Sequence, residues 1–139
     1  MITENDVIEA VCKHLVNQGF VIQQALNTNE KGDDIIAYHP KENVKILVEA
    51  KGETSSQVHT KRYGMPFTSN QRKTHVMQAL YRCAKMQCEA KEHSNIKVGM
   101  AFPGDNIHRK WLTDIKDFLF QNQIIVFLVN QNKAVEQWM

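Results

Sequence analysis

The chain has 139 residues, 42% of them hydrophobic, and a net charge of +2. That is one domain of ordinary size, residues 1–139, with enough apolar sequence for a core. No apolar run approaches the roughly 18 residues that span a bilayer, and the start MITENDVIEAVCKHL lacks the apolar stretch of a secretory signal, so the expectation is a soluble, cytoplasmic protein without membrane contact.

In chain order, Val7, Val11, Leu15 and Val16 recur at helical spacing, with Thr3 as N-cap, Asp6 three residues on and Gly19 as the stop. FVIQQAL (20–26) reads as a strand and NTNEKG (27–32) as turn chemistry. DIIAY (34–38) and VKILVEA (44–50) read as strands joined around Pro40 and Asn43. A polar stretch of 19 residues, 52–70, follows, too long for a simple connector. The next helix starts near Ser69, with Val76, Leu80, Cys83, Ala84 and Gln87 as its stripe. IKVGMAF (96–102) is a strand and Pro103-Gly104-Asp105 a turn. A helix with Trp111, Ile115, Phe118 and Leu119 on one face precedes a fully apolar strand, IIVFLV (124–129). Trp111, Phe118 and Phe120 are expected in the core. The order is α-β-β-β-α-β-α-β, an α/β fold with a mixed central sheet flanked by helices. Cys12, Cys83 and Cys88 are odd in number and lack CxxC spacing, which favours three reduced thiols over a zinc site completed by a histidine.

The stretch ILVEAKG (46–52) ends an apolar strand in charge. Glu49 and Lys51 are two apart, so they project from one face. A symmetric hairpin turning between Lys41 and Glu42 sets Asp34 opposite Glu49, with Cβ atoms about 4.5–5.5 Å apart. Two carboxylates facing each other on an apolar flank are destabilising without compensation. A divalent cation such as Mg²⁺ or Mn²⁺ turns the repulsion into coordination. It can also activate a water, and a lysine beside it can orient that water and stabilise charge on a phosphoryl oxygen. A second E-x-K, Glu89-Ala90-Lys91, serves as a control: it continues helical sequence and has no hairpin partner, so it reads as a solvated helix surface.

On Gly32-Asp33-Asp34-Ile35 and Val48-Glu49-Ala50-Lys51-Gly52, the sequence resembles the PD-(D/E)XK nuclease superfamily, which has the restriction-endonuclease-like fold. The resemblance covers about residues 3–102 in an α-β-β-β-α-β core and makes the last helix and strand a peripheral extension. It implies a Mg²⁺-dependent endonuclease that hydrolyses phosphodiester bonds in DNA. Asp34 and Glu49 then bind the metal, Lys51 is catalytic, and Glu9 on the first helix matches the glutamate that many members direct at the metal. Asp33 stands where the nominal motif has proline. It is a rival ligand that the hairpin register turns away from Glu49. A Q-x-x-x-Y motif of some members is not matched, since Gln78 and Tyr81 are only three apart.

Charge is uneven: residues 1–50 carry −4, 51–100 carry +6 and 101–139 carry 0. Within the basic third, Lys61, Arg62 and Tyr63, then Gln71, Arg72 and Lys73, flank GMPF (64–67) and are the candidate nucleic-acid contacts: cations for phosphates and an aromatic ring for a base. Backbone N–H groups at the helix start near 69–72 suit a phosphate too. Gln71 and His75 share a helix face that can reach the site. Many small nucleases of this fold are homodimers because cutting two strands takes two sites, and Trp138 is a candidate for packing on a second subunit. The competing class is a nuclease-fold module that binds nucleic acid or a partner protein without cutting. A weaker third is an enzyme acting on another phosphate ester; the chain has no GxxxxGK[ST] loop for nucleoside triphosphates.

Overall fold

Thr3 opens the first helix, α1 (Glu4–Asn17), through a capping box in which its hydroxyl accepts from the Asp6 amide and the Asp6 carboxylate accepts from the Thr3 amide. The structure is a computed structural model and describes residues 1–27, 32–54, 65–90 and 95–139. α1 buries Val7, Ile8, Ala10, Val11 and Leu15, while Val16, expected on that stripe, is exposed. Gly19 ends the turn at φ 99°, and a Cβ there would stand 2.8 Å from His39 Nε2.

The strands are β1 (Val21–Ala25), β2 (Ile35–His39), β3 (Val44–Ala50), β4 (Ile96–Pro103), β5 (Ile124–Val129) and β6 (Val135–Trp138). They form one six-stranded sheet in sequential order. β1, β2 and β3 are antiparallel neighbours, β3, β4 and β5 are parallel, and β6 closes the sheet antiparallel to β5. The parallel steps need crossovers, supplied by α2 (Ser69–Ala90) and by α3 (Asn106–Asp114) with α4 (Lys116–Gln121). The expected α/β fold with a mixed sheet flanked by helices is present.

The alternation along β3 sorts its two faces. Ile46, Val48 and Ala50 point to α1, in a core with Ile35, Ala37 and Phe127. Leu47 points the other way, to a core built by α2, α3 and α4 around Val76, Cys83, Met100, Leu112 and Leu119. Glu49 and Lys51 follow the parity of Leu47 and so belong to the α2 face.

Three expectations change. β5 is buried along its whole length and is flanked by β4 and β6, so the C-terminal part is integral to the sheet rather than peripheral. β6 itself has no clear pattern in sequence. The last helix breaks at Ile115 (φ −116°, ψ 17°) into α3 and α4. The break rotates the face of α4, so Leu119 goes inside while Phe118 and Phe120 are exposed and Trp111 is half-buried. In α2 the buried stripe is Arg72, Val76, Ala79, Cys83 and Met86, which leaves Ala84 exposed and Gln87 half-buried. The three cysteines are free and lie apart in burial: Cys12 half-buried, Cys83 buried, Cys88 exposed. Among the described residues no helix is long and apolar enough to cross a membrane.

Candidate active site

The β2–β3 register pairs Ile35 with Val48 and His39 with Val44, so its next step places Asp34 opposite Glu49, as the hairpin symmetry predicts. Asp34 lies just beyond the ladder, where its side chain replaces a main-chain acceptor: Oδ2 accepts from the Ala50 amide at 2.8 Å. That bond pins the carboxylate to the end of β3. The backbone beyond continues along β4, with the Lys51 amide donating to the Ala101 carbonyl at 3.0 Å. Lys51 Nζ lies 3.7 Å from Glu49 Oε1, both side chains largely covered. The strand end thus presents Asp34, Glu49 and Lys51 on one face.

Electrostatics there are strained. Burial, then the Asp34 carboxylate, push Glu49 up to about 7, against the pull of Lys51. Burial also lifts Asp34 above its ordinary range, opposed by the Ala50 amide and Lys51. Glu49 opposes the rise at Asp34 as well, after the Ala50 amide and Lys51. A third acid joins them from α1. Burial and then Asp34 push Glu4 to about 7, with Lys51 again opposing.

This third acid is not the one expected. Glu9 is 71% exposed and pairs with Lys13 one helical turn on, at 3.5 Å. The helix glutamate beside Asp34 is Glu4, in the first turn of α1. The sequence signal that finds it lies downstream, in Gly52. Residues after β3 run alongside the N-terminus, with the Glu53 amide donating to the Ile2 carbonyl at 2.9 Å and Thr3 bridging Thr54. Only a residue without a Cβ lets α1 come so close.

α2 forms the opposite wall. Arg82 pairs with Asp33, so the rival acid is drawn to the α2 side and held by a guanidinium. This differs from the expected turn away from the site: Asp33 precedes the regular ladder and strand alternation does not govern it. The Arg82 charge also opposes the rise at Glu49. Cys83 beside it donates to the Gly99 carbonyl, and burial, then Glu49, push its thiol up to about 12, which leaves it unreactive. His75 is half-buried, with its ring edge-on to Phe67 at a centroid distance of 4.6 Å. Burial, then the charge of Lys51 with smaller contributions from the α3 side and Arg72, lowers it to about 4 and keeps it neutral.

The candidate nucleic-acid contacts fare differently. Lys61, Arg62 and Tyr63, like His59, lie outside the described residues. Gln71 is engaged in a capping box: its Oε1 accepts from the Thr68 amide at 2.7 Å and its amide donates to the Thr68 hydroxyl at 3.1 Å. Arg72 is buried and lies 3.7 Å from Asp105, the N-cap of α3, so it ties α2 to α3 instead of facing solvent. The helical period explains it: Arg72 stands one turn before Val76 on the stripe α2 turns inward. Lys73 is exposed, with its ammonium 5.1 Å from the Trp111 ring centre.

A cation fits this donor set in kind. Asp34, Glu49 and Glu4 offer hard oxygens, and Mg²⁺ is typically held by one or two carboxylates with water and substrate phosphate completing its shell. Among the described residues no group of three His, Cys, Asp or Glu side chains is placed to hold a metal ion, so the fit is one of donor chemistry and not of a formed site.

No protein-family model matches the chain. No curated protein matches it either. Two solved structures share its fold. One is an XisH family protein from Nostoc punctiforme, at 16% identity and a TM-score of 0.59, covering 96% of this chain and 98% of its own. The other, from Anabaena variabilis, is described as an fdxN element excision controlling factor, at 17% identity, the same TM-score of 0.59 and the same coverage of 96% and 98%. Both likenesses extend over nearly the whole chain, and at this identity they speak for the fold alone.

Proposed function

We propose that this protein is a metal-dependent nuclease that hydrolyses phosphodiester bonds in DNA. The observation that carries the reading is Asp34 opposed to Glu49 at the end of a buried hairpin, with Lys51 on the same face. Carboxylates crowded so that Glu4 and Glu49 stay protonated to about 7 are a poor resting arrangement for a folded chain. They are a good one for a site that exchanges a proton for a cation.

Asp34 and Glu49 would hold Mg²⁺ or Mn²⁺, with Glu4 beside them. The bound ion supplies a water of lowered pKa and neutralises charge on a phosphoryl oxygen. Lys51 directs an ammonium N–H at the attacking water and at the charge that develops on the phosphate. Water oxygen forms the new P–O bond, its proton passes to solvent, and the leaving oxygen departs with the bonding electron pair and takes up a proton. The Ala50 amide keeps Asp34 aimed throughout.

A second reading comes from the fold neighbour described as an excision controlling factor. On that reading the chain binds DNA in element excision and does not cut. Incubating DNA and RNA of duplex, single-stranded and branched form with Mg²⁺ or Mn²⁺ separates the two. Cleavage by the wild type that is lost in Glu49→Ala and Lys51→Ala supports the nuclease. Full activity in Glu49→Ala sinks it, and DNA binding without cleavage in every case favours the second reading.

A further inference from the structure

α2 turns one stripe to the sheet and leaves a second one bare. Thr74, Met77, Tyr81, Ala84 and Cys88 are all exposed. They recur at alternating steps of three and four, the repeat of a seam that packs one helix on another. No charged residue stands on that seam. Beside it lies α4, whose Phe118 is 50% exposed. The two helices bound a groove of about 630 Å³ with Leu80 and Ile124 in its lining. The Gln87 side chain ties α2 to the end of α4 by donating to the Asn122 carbonyl at 2.7 Å.

Size and shape say what covers this face. Met77 is 60% and Tyr81 72% exposed. Side chains of this bulk span about 150–250 Å² each, so with Phe118 they leave roughly 300–450 Å² of surface in water. That matches the largest patch of an ordinary monomer, which is often functional. Ala84, Cys88, Thr74 and the polar rim bring the face to about 600 Å², the low end of what each partner covers in a specific complex. The seam is also complementary to itself. A two-fold axis crossing α2 between Arg82 and Cys83 runs two copies of the helix antiparallel. It sets Tyr81 opposite the partner's Ala84, and Met77 opposite the partner's Cys88. Each large side chain then meets a small one. Parallel helices would set Tyr81 against itself. Trp138, the other candidate for a contact between subunits, is engaged within its own chain: its indole N–H donates to Glu136 at 3.0 Å and the Lys116 ammonium lies 4.5 Å from its ring centre.

We propose that the exposed seam of α2, with Phe118 of α4 at its side, is the interface of a homodimer in which the two α2 helices pack antiparallel, Tyr81 on the partner's Ala84 and Met77 on the partner's Cys88. Tyr81 is the anchor, as a large aromatic at the centre of the face. The axis passes the turn of α2 that carries Arg82, so it relates two strand-end sites through the helix that walls each of them. The interface stands apart from the nuclease reading and needs no bound ion.

Two measurements on the full chain decide the matter. The first is mass in solution, by sedimentation over a range of protein concentrations up to the sub-millimolar. The wild type should reach the mass of a dimer. Tyr81→Lys should weaken association roughly tenfold or more. Val21→Lys, at a comparably exposed apolar position on β1, should leave it unchanged. Circular dichroism of both variants should match the wild type, since both positions face water. The second measurement reads the register. In Met77→Cys, oxidised glutathione should link the two subunits through Cys88, and adding Cys88→Ser should abolish the link. A wild type that stays monomeric at every concentration overturns the proposal and leaves the groove to a different protein. So does a dimer that Tyr81→Lys leaves intact. Failure of Met77→Cys to link, or a link that survives Cys88→Ser, overturns the antiparallel pairing.

Discussion

Gly52 and Glu4 are in backbone contact: a Cβ on Gly52 would stand 2.4 Å from the Glu4 amide nitrogen and 2.7 Å from the Thr3 carbonyl carbon. Neither atom belongs to a flexible side chain, so the contact leaves no room for any other residue. It also places the first turn of α1, and with it the Glu4 carboxyl, beside Asp34. Gly52→Ala is therefore expected to lower stability by roughly 1–3 kcal/mol in denaturant unfolding. It should weaken Mn²⁺ binding too, because Glu4 moves away. An unchanged midpoint would show that α1 does not press on Gly52 in solution.

The acidic cluster sets an unusual pH dependence. Glu4 and Glu49 hold a proton up to about 7 in the folded chain, against an ordinary value of 4.5. Between those values the folded state binds more protons, so stability falls as pH rises. His75 acts oppositely, since its folded value of about 4 lies below the ordinary 6.5. Two carboxyl groups outweigh one imidazole, and Asp34, also raised, adds to their side. Asp6 and Asp105 are held low and act only in stronger acid. Without metal, unfolding free energy should drop by roughly 1–3 kcal/mol from about pH 5 to pH 7.5 and level off above. A Tm that rises across that window refutes the assignment.

Glu49→Gln removes one of the repelling charges and keeps the shape. The Glu49 pKa is raised in spite of Lys51, so repulsion and burial outweigh that ion pair. The variant should be more stable than wild type at pH 8, by a few degrees in Tm, and should match it near pH 5, where Glu49 is neutral anyway. It should also flatten the pH profile. Destabilisation at pH 8 would mean that the Lys51 pair dominates.

Much of this site is legible in the amino-acid sequence, and for a definite reason. A hairpin has one register once its turn is placed, so counting alone sets Asp34, Glu49 and Lys51 on one face. The long apolar strands and the Thr3 cap follow from period and chemistry. Glu4 does not, because local spacing cannot tell which turn of a helix meets a strand from another part of the chain; the packing at Gly52 decides that. Arg72 and Gln71 resemble phosphate contacts because charge and amide groups in a polar segment suggest solvent. Their actual partners, Asp105 and Thr68, depend on the phase of α2 and on where α3 starts. A continuous helical count puts Phe118 inside beside Leu119, and the break at Ile115 interrupts that count; Phe120, expected inside as an aromatic and not by that count, is exposed as well.

The two α1 glutamates give a direct comparison. Glu9 is exposed beside Lys13, and Glu4 stands by Asp34. Glu9→Gln should leave Mn²⁺ affinity unchanged within error, while Glu4→Gln should weaken it several-fold by calorimetry. Both substitutions keep helix propensity, so loss of helix cannot imitate the result. Equal loss in the two variants would place the cation elsewhere.

Arg82 offers the sharpest probe of how α2 tunes the acids. It holds Asp33, and its charge lowers the proton affinity of Glu49. Cation binding must displace the Glu49 proton, so its pH midpoint follows that affinity. Arg82→Met removes the charge and should move the midpoint of Mn²⁺ binding to higher pH. Asp33→Asn leaves the guanidinium in place and frees it from its partner, so it should move the midpoint the other way or not at all. If both variants shift it upward alike, Asp33 takes part in holding the cation, and the division of labour between the adjacent acids at 33 and 34 has to be redrawn.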